Sequence, residues 1–255
     1  MKRGILITAR LKSTRLPFKV IKDIMGKPMI VHMLDRLKLS KLSEKIIICT
    51  SGLQQDSPLI NIAEKNDVMH FCGDPNDVLF RLLSAADQFG IDTIINCTAD
   101  NPFVDPIYID KLIEHHESNN NDFSKIEGLP FGVFSYAINK EALRKLCEIK
   151  VNIDTEVWHG YFINTKLFKW SALKVKDDNL CRPKLRLTVD TPEDFQLVEK
   201  IFENLYNKKE KAIFPLSKII RFCELNPAIA KINVNIPQKL APGLKIKGDS
   251  QTYEA

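Results

Sequence analysis

The chain has 255 residues and a mass of 29.1 kDa, enough to bury a sizeable core as one large domain or two small ones. Its 44% hydrophobic and 27% charged content is ordinary for a globular protein, and no apolar run approaches the roughly 18 residues needed to span a bilayer. With no secretory signal pattern at the start, the cytoplasm is the expected location, and a net charge of +5 spread along the chain lacks the clustered basic stripe of a nucleic-acid binder.

The first predicted element is a strand, Gly4 to Ala9, reading GILITA. It runs into ARLKSTRLPFK, where Arg10, Lys12, Arg15 and Lys19 share ten residues with the hydroxyls of Ser13 and Thr14. Arginine forks two hydrogen bonds onto phosphate oxygens and lysine acts as a mobile point charge, so the loop suits a phosphate group; a solvated basic loop is the bland alternative. Neither GxxxxGK[ST] nor GxGxxG is present, which excludes a P-loop and a dinucleotide fingerprint. Pro17, Pro28 and Gly26 restrict or bend the backbone around it.

Helical spacing follows over 29–38, then strand-like runs at Ile46 to Cys49, Val68 to Phe71 and Thr93 to Cys97, alternating with helices over 56–66, 77–89 and 106–118. Strands apolar on both faces alternating with helices predict a mostly parallel sheet covered by helices. After the polar turn Asn119 to Asn121 the pattern changes. EGLPFGVFSYAI suggests a strand, Lys140 to Glu148 a helix, and the aromatic segment DTEVWHGYFINTKLFKW an excursion packed on the sheet or on a partner subunit. KLRLTVD reads as a further strand and TPEDFQLVEKIFENLY as a helix with Thr191 as its cap and Pro192 at its first position. The division expected is a domain over 1–225, with an excursion at about 122–183, and a surface-wrapping or partly disordered tail over 226–255; Lys208, Lys209 and Lys211 read as a solvated linker. The six cysteines contain no CxxC pair and the five histidines no HExxH, so neither a disulfide framework nor a transition-metal site is expected.

Two acidic positions follow strands directly. Asp100 comes just past the strand ending near Cys97, and Asp190 just past LRLTV. In a parallel sheet both project from the edge that carries the basic loop, where ligands of open α/β folds bind. Two carboxylates opposite a phosphate cradle suit Mg²⁺, which is held by one or two carboxylates plus substrate phosphates. Asp190 taken alone also fits a position beside a helix start, and Asp105, before Pro106, fits a helix cap.

ARLKSTRLPFKVIKDIMGKPMIVHMLDRL, FCGDPNDVLFRLLSAADQFG, TADNPFVDP and LRLTVDTPEDFQLVEKIFE, in that order, resemble the sugar-acid cytidylyltransferases, the CMP-Kdo and CMP-sialic acid synthetases, and most of all their SpsF-type spore-coat branch. The resemblance covers roughly residues 3–206. It implies a three-layer α/β/α nucleotide-diphosphosugar transferase (Rossmann-like) fold with a small dimerisation excursion, and transfer of CMP from CTP to a sugar acid with release of pyrophosphate. It further implies Mg²⁺ on Asp100 and Asp190, catalytic roles for Arg15, Lys19 and Asp100, and substrate contacts from Arg10, Ser13, Gly73, Asp77 and Arg81. Glu127 to Gly132 and Glu156 to His159 fall where relatives line the acceptor pocket or dimer contact, and the partners implied are CTP, a sugar acid and a second copy of the chain. This chain departs from the family's LPGK in having Phe18 for the glycine. The same fold serves other acceptors, such as a phosphorylated polyol or amino acid, and a noncatalytic sugar-nucleotide binder is the reading from outside the enzymes.

Overall fold

The computed structural model describes residues 1–207, 213–238, 243–249 and 251–254; the lysine-rich linker and Pro242 lie outside them. Seven strands form one sheet: β1 (Arg3–Thr8), β2 (Lys45–Ser51), β3 (Met69–Gly73), β4 (Thr93–Thr98), β5 (Phe123–Glu127), β6 (Tyr136–Asn139) and β7 (Trp170–Lys174). Their order is β3-β2-β1-β4-β6-β5-β7, parallel except that β6 runs antiparallel to both neighbours.

The periodicity explains the layers. Along β1, Ile5 and Ile7 face one hydrophobic cluster and Leu6 the other, and all three are fully buried, because a strand covered on both sides must be apolar at every position. The first cluster packs under α1 (Met29–Leu37), α2 (Ser57–Lys65), α4 (Pro106–Ser118), α7 (Pro192–Leu205) and α8 (Leu216–Leu225). The second packs under α3 (Val78–Phe89), α5 (Lys140–Ile149) and the short α6 (Gly160–Asn164). The result is the expected α/β/α sandwich. No described helix is long and apolar enough to cross a membrane.

Two expectations need correction. The stretch 122–183 is only partly an excursion, since β5, β6 and β7 within it are strands of the main sheet. Residues 185–190 are not a sheet strand. They lie extended across its edge, bonded to the 128–134 loop through Phe131 N to Leu185 O (2.8 Å) and Leu187 N to Phe131 O (2.7 Å), and to the turn after β4 through Val189 N to Asp100 O (2.9 Å). Gly132 makes this approach possible, because a Cβ there would lie 2.4 Å from Thr188 N and its φ is +93°. In the final thirty residues, Asn233, Leu244 and Ile246 are buried, and Ile246 makes a bridge with Lys150.

Candidate active site

β1 and β4 are parallel neighbours in register from Arg3↔Thr93 to Thr8↔Thr98, so the chain leaves both at the same edge. Ala99 N donates to Thr8 O (3.0 Å), which places the basic loop beside the Asp100 turn. The loop is fastened from within. Leu11, Leu16 and Val20 are buried, and Leu11 N donates to the fully buried Asp56 at 2.7 Å. Asp56, which also accepts from Ser51 Oγ, had no motif to announce it. The basic side chains are thereby left on the outside of a shaped turn.

Lys19, Arg15, Asp100 and Asp190 meet at this edge. Lys19 Nζ lies 2.8 Å from Asp100 Oδ2 and 2.9 Å from Asp190 Oδ1, and Arg15 Nη2 lies 3.1 Å from Asp190 Oδ1. Burial pulls the Lys19 ammonium down, but the two aspartates outweigh it and hold its pKa above the ordinary lysine value. Burial likewise pushes Asp190 up, and Lys19, Arg15 and Arg186 outweigh it, keeping the carboxylate ionised below its usual range. The four residues separated by up to 175 positions form one charged cluster.

Arg186 was not singled out from the sequence. Its Nη2 donates to Asp190 Oδ2 (2.9 Å) and Asp194 Oδ2 (3.0 Å), its Nε to Asp194 Oδ1 (2.8 Å) and its Nη1 to Gln238 Oε1 (2.9 Å). A signal did exist: in LRLTVD the polar residues Arg186, Thr188 and Asp190 alternate with apolar ones, so they share a side. Thr191 caps α7 as expected, and Asp194 closes a capping box with it that was not singled out from the sequence.

Arg10, Gly73, Asp77 and Arg81 form a second group, and Ser13 and Asp105 stand apart from it. Arg10 Nη1 donates to Pro75 O, and Arg81 Nη1 to Asp74 O, so both guanidiniums grip the loop between β3 and α3. Arg81 is buried, with Nε unpartnered, and burial and then Arg10 lower its pKa. Gly73 ends β3, where a Cβ would lie 2.7 Å from Phe71 and 3.0 Å from Arg81. Asp77 caps α3 through Phe80 N (3.0 Å) and pairs with Lys150. Ser13 Oγ accepts from Leu16 N at 3.4 Å, a contact within the loop. Asp105 caps α4, accepting from Ile107 N and Tyr108 N at 2.9 and 3.1 Å.

Beyond Arg186 the edge is aromatic. Arg186 lies over the Phe131 ring (5.4 Å), and Phe131, Phe134, Tyr136 and His159 follow at ring spacings of 5.6, 5.7 and 5.8 Å. Four other cations of this half are held in ion pairs: Lys125 with Glu127, Lys140 and Arg144 with Asp87, and Lys150 with Asp77.

A family model described as Cytidylyltransferase matches residues 5–235. The chain is 27% identical to the spore coat polysaccharide biosynthesis protein SpsF of Bacillus subtilis, over 88% of this chain and 95% of that one. To the 3-deoxy-manno-octulosonate cytidylyltransferase of Brucella suis it is 35% identical over 49% of this chain and 51% of the other. A solved cytidylyltransferase from Leptospira borgpetersenii superposes with a TM-score of 0.82 at 29% identity, over 95% of this chain and all of that one. The edge that joins Lys19 to Asp100 and Asp190 is thus set in a chain that belongs to the cytidylyltransferase family.

Proposed function

We propose that the chain transfers CMP from CTP to a sugar acid in a Mg²⁺-dependent reaction that releases pyrophosphate, serving surface polysaccharide synthesis. The observation that carries this reading is the Lys19 ammonium held between Asp100 and Asp190, within 3 Å of an oxygen of each. Two carboxylates that converge on one cation are a hard, oxygen-only donor set, and with phosphate oxygens added they suit Mg²⁺. Bound by Asp100 and Asp190, Mg²⁺ would neutralise charge on the triphosphate and on the departing pyrophosphate.

The chain's own residues supply the rest. Lys19 and Arg15 exchange carboxylate partners for phosphate oxygens, so that the positive charge already gathered at the edge meets the triphosphate without being assembled for each turnover. An acceptor hydroxyl attacks the α-phosphorus, its proton passes to solvent, and the bond to the β-phosphate oxygen breaks. Positioning and charge neutralisation suffice, with no protein nucleophile. The row from Phe131 to His159 offers apolar faces to the C–H side of a sugar ring. The names of the relatives, one for a spore coat polysaccharide and one for 3-deoxy-manno-octulosonate, support a sugar-acid acceptor.

Pyrophosphate release tests the reading, with CTP, UTP, ATP and GTP each offered with 3-deoxy-manno-octulosonate, its 8-amino analogue, a nonulosonic acid and a phosphorylated polyol, in Mg²⁺ and in EDTA. Release with CTP and at least one sugar acid, lost in EDTA, is expected. Equal turnover with another nucleotide, undiminished release in EDTA, or turnover only with a phosphorylated polyol overturns it.

A further inference from the structure

Asp190 has two oxygens, and the fold treats them differently. Oδ1 faces Lys19 (2.9 Å) and Arg15 (3.1 Å), the side chains that the proposed reaction would redirect to phosphate. Oδ2 is held by Arg186 at 2.9 Å, and Arg186 is itself locked. Its guanidinium forks onto Asp194, which is fully buried and also accepts from Asp190 N (2.9 Å), Thr191 N (3.1 Å) and Asn233 Nδ2 (2.8 Å). Asn233 donates in turn to Arg186 O (3.1 Å), and Gln238 holds the remaining guanidinium nitrogen. Asp194 therefore fixes Asp190 twice, through its backbone N–H and through Arg186. Only the Oδ1 side is held by groups with exchangeable work.

We propose that Arg186 is a positioning residue that occupies Asp190 Oδ2 and presents Oδ1 alone to a divalent cation shared with Asp100. The inference rests on the reading of Asp100 and Asp190 as metal carboxylates and adds what that reading leaves open, namely which oxygen serves and what aims it. A carboxylate free to rotate would offer either oxygen or both. A forked guanidinium anchored on a buried carboxylate removes that freedom, and a lysine ammonium, a point charge without a planar fork, does not fix the carboxylate's orientation. Residues that orient a metal ligand without touching the metal contribute about 10- to 100-fold to metal affinity.

The test measures how far Mn²⁺ tightens CTP binding to the full chain, as the ratio of the dissociation constants in EDTA and in Mn²⁺. Arg186→Lys keeps a positive charge against Asp194, and the midpoint of thermal unfolding verifies that the variant is folded. The expected result is a tightening about tenfold smaller than in the wild type, with CTP affinity in EDTA within about twofold. A purely structural role would move both numbers together or neither. Undiminished tightening in Arg186→Lys, with Asp190→Asn losing it, overturns the positioning role and leaves the metal reading standing. Tightening that survives in Asp190→Asn, or is absent from the wild type, overturns both.

Discussion

Lys19 and Lys150 are both largely buried lysines paired with aspartate, with side chains 13% and 7% exposed, yet their surroundings differ in kind. Lys150 ties together what it touches. Its partner Asp77 is already committed to the α3 cap and to Thr155 Oγ1 (3.1 Å), and Lys150 also donates to Asn152 O (3.1 Å). Each of those bonds closes a local structure. Lys19 closes none: its two carboxylates stand at the ends of separate segments, one fastened by backbone bonds after β4 and the other by Arg186. Three cations, Lys19, Arg15 and Arg186, face three carboxylates, Asp100, Asp190 and Asp194, so the cluster is balanced and can trade one ion for another. A buried ion pair becomes a site when its members are held by other groups and not by each other.

The strongest way to break the contrast is Lys19→Met. On the proposed function, loss of this preorganised charge should cost about 100- to 1000-fold in kcat/KM for CTP. Arg15 and Arg186 stay on Asp190 and Asp100 is a quarter exposed to water, so the loss of unfolding stability should stay below the roughly 3 kcal/mol that breaking a buried pair from one side costs. Steady-state kinetics and thermal unfolding of the same sample read both. A variant that unfolds but retains activity would make Lys19 another Lys150.

Lys150→Met should do the reverse. It leaves the Asp77 carboxylate, 14% exposed, without its cation, and breaking such a pair from one side costs about 3 kcal/mol. The folded fraction should keep kcat/KM within about threefold. A large loss of turnover in folded Lys150→Met would return Asp77 to the nucleotide site that family resemblance assigned it.

What could be read in advance follows the same division. β1, β2 and β4 were legible because a strand covered on both faces is a continuous apolar run, β3 at the sheet edge from the short run Val68 to Phe71, Lys19 from the basic loop after β1, and Asp100 and Asp190 because each directly follows an apolar segment. β5 and β7 were not, since FSKIE and WSALK are short and mix polar with apolar residues. The error at LRLTVD was one of partner and not of conformation: the segment is extended, but it pairs with a loop at the sheet edge. Asp56 and Asn233 stayed hidden because their contacts with Leu11 and Asp194 reach across 45 and 39 positions, which no local period records, whereas Arg186 lies four and eight positions from Asp190 and Asp194 and was signalled only by the alternation in LRLTVD. α8 carried a readable stripe in Leu216, Ile219, Ile220 and Cys223, all buried.

The smallest expected effect concerns the residue before Lys19. Phe18 has φ 57° and ψ 20°, the left-handed conformation, with a ring 52% exposed, and no residue beside Lys150 has a positive φ. A side chain in that region costs about 1–2 kcal/mol, while glycine gives back about 0.5–1 kcal/mol through its freer unfolded state. Phe18→Gly should therefore gain about 0.5 kcal/mol, or roughly 1–2 °C in Tm for a chain of this size. Phe18→Ala keeps the Cβ that causes the strain and loses the ring, so it should gain nothing. If both variants lose stability, the ring holds the loop and the strain account fails. If only the glycine gains, the exchangeable lysine is approached through a strained backbone and the tying one is not, which is where strain is expected when a segment must be held for a ligand.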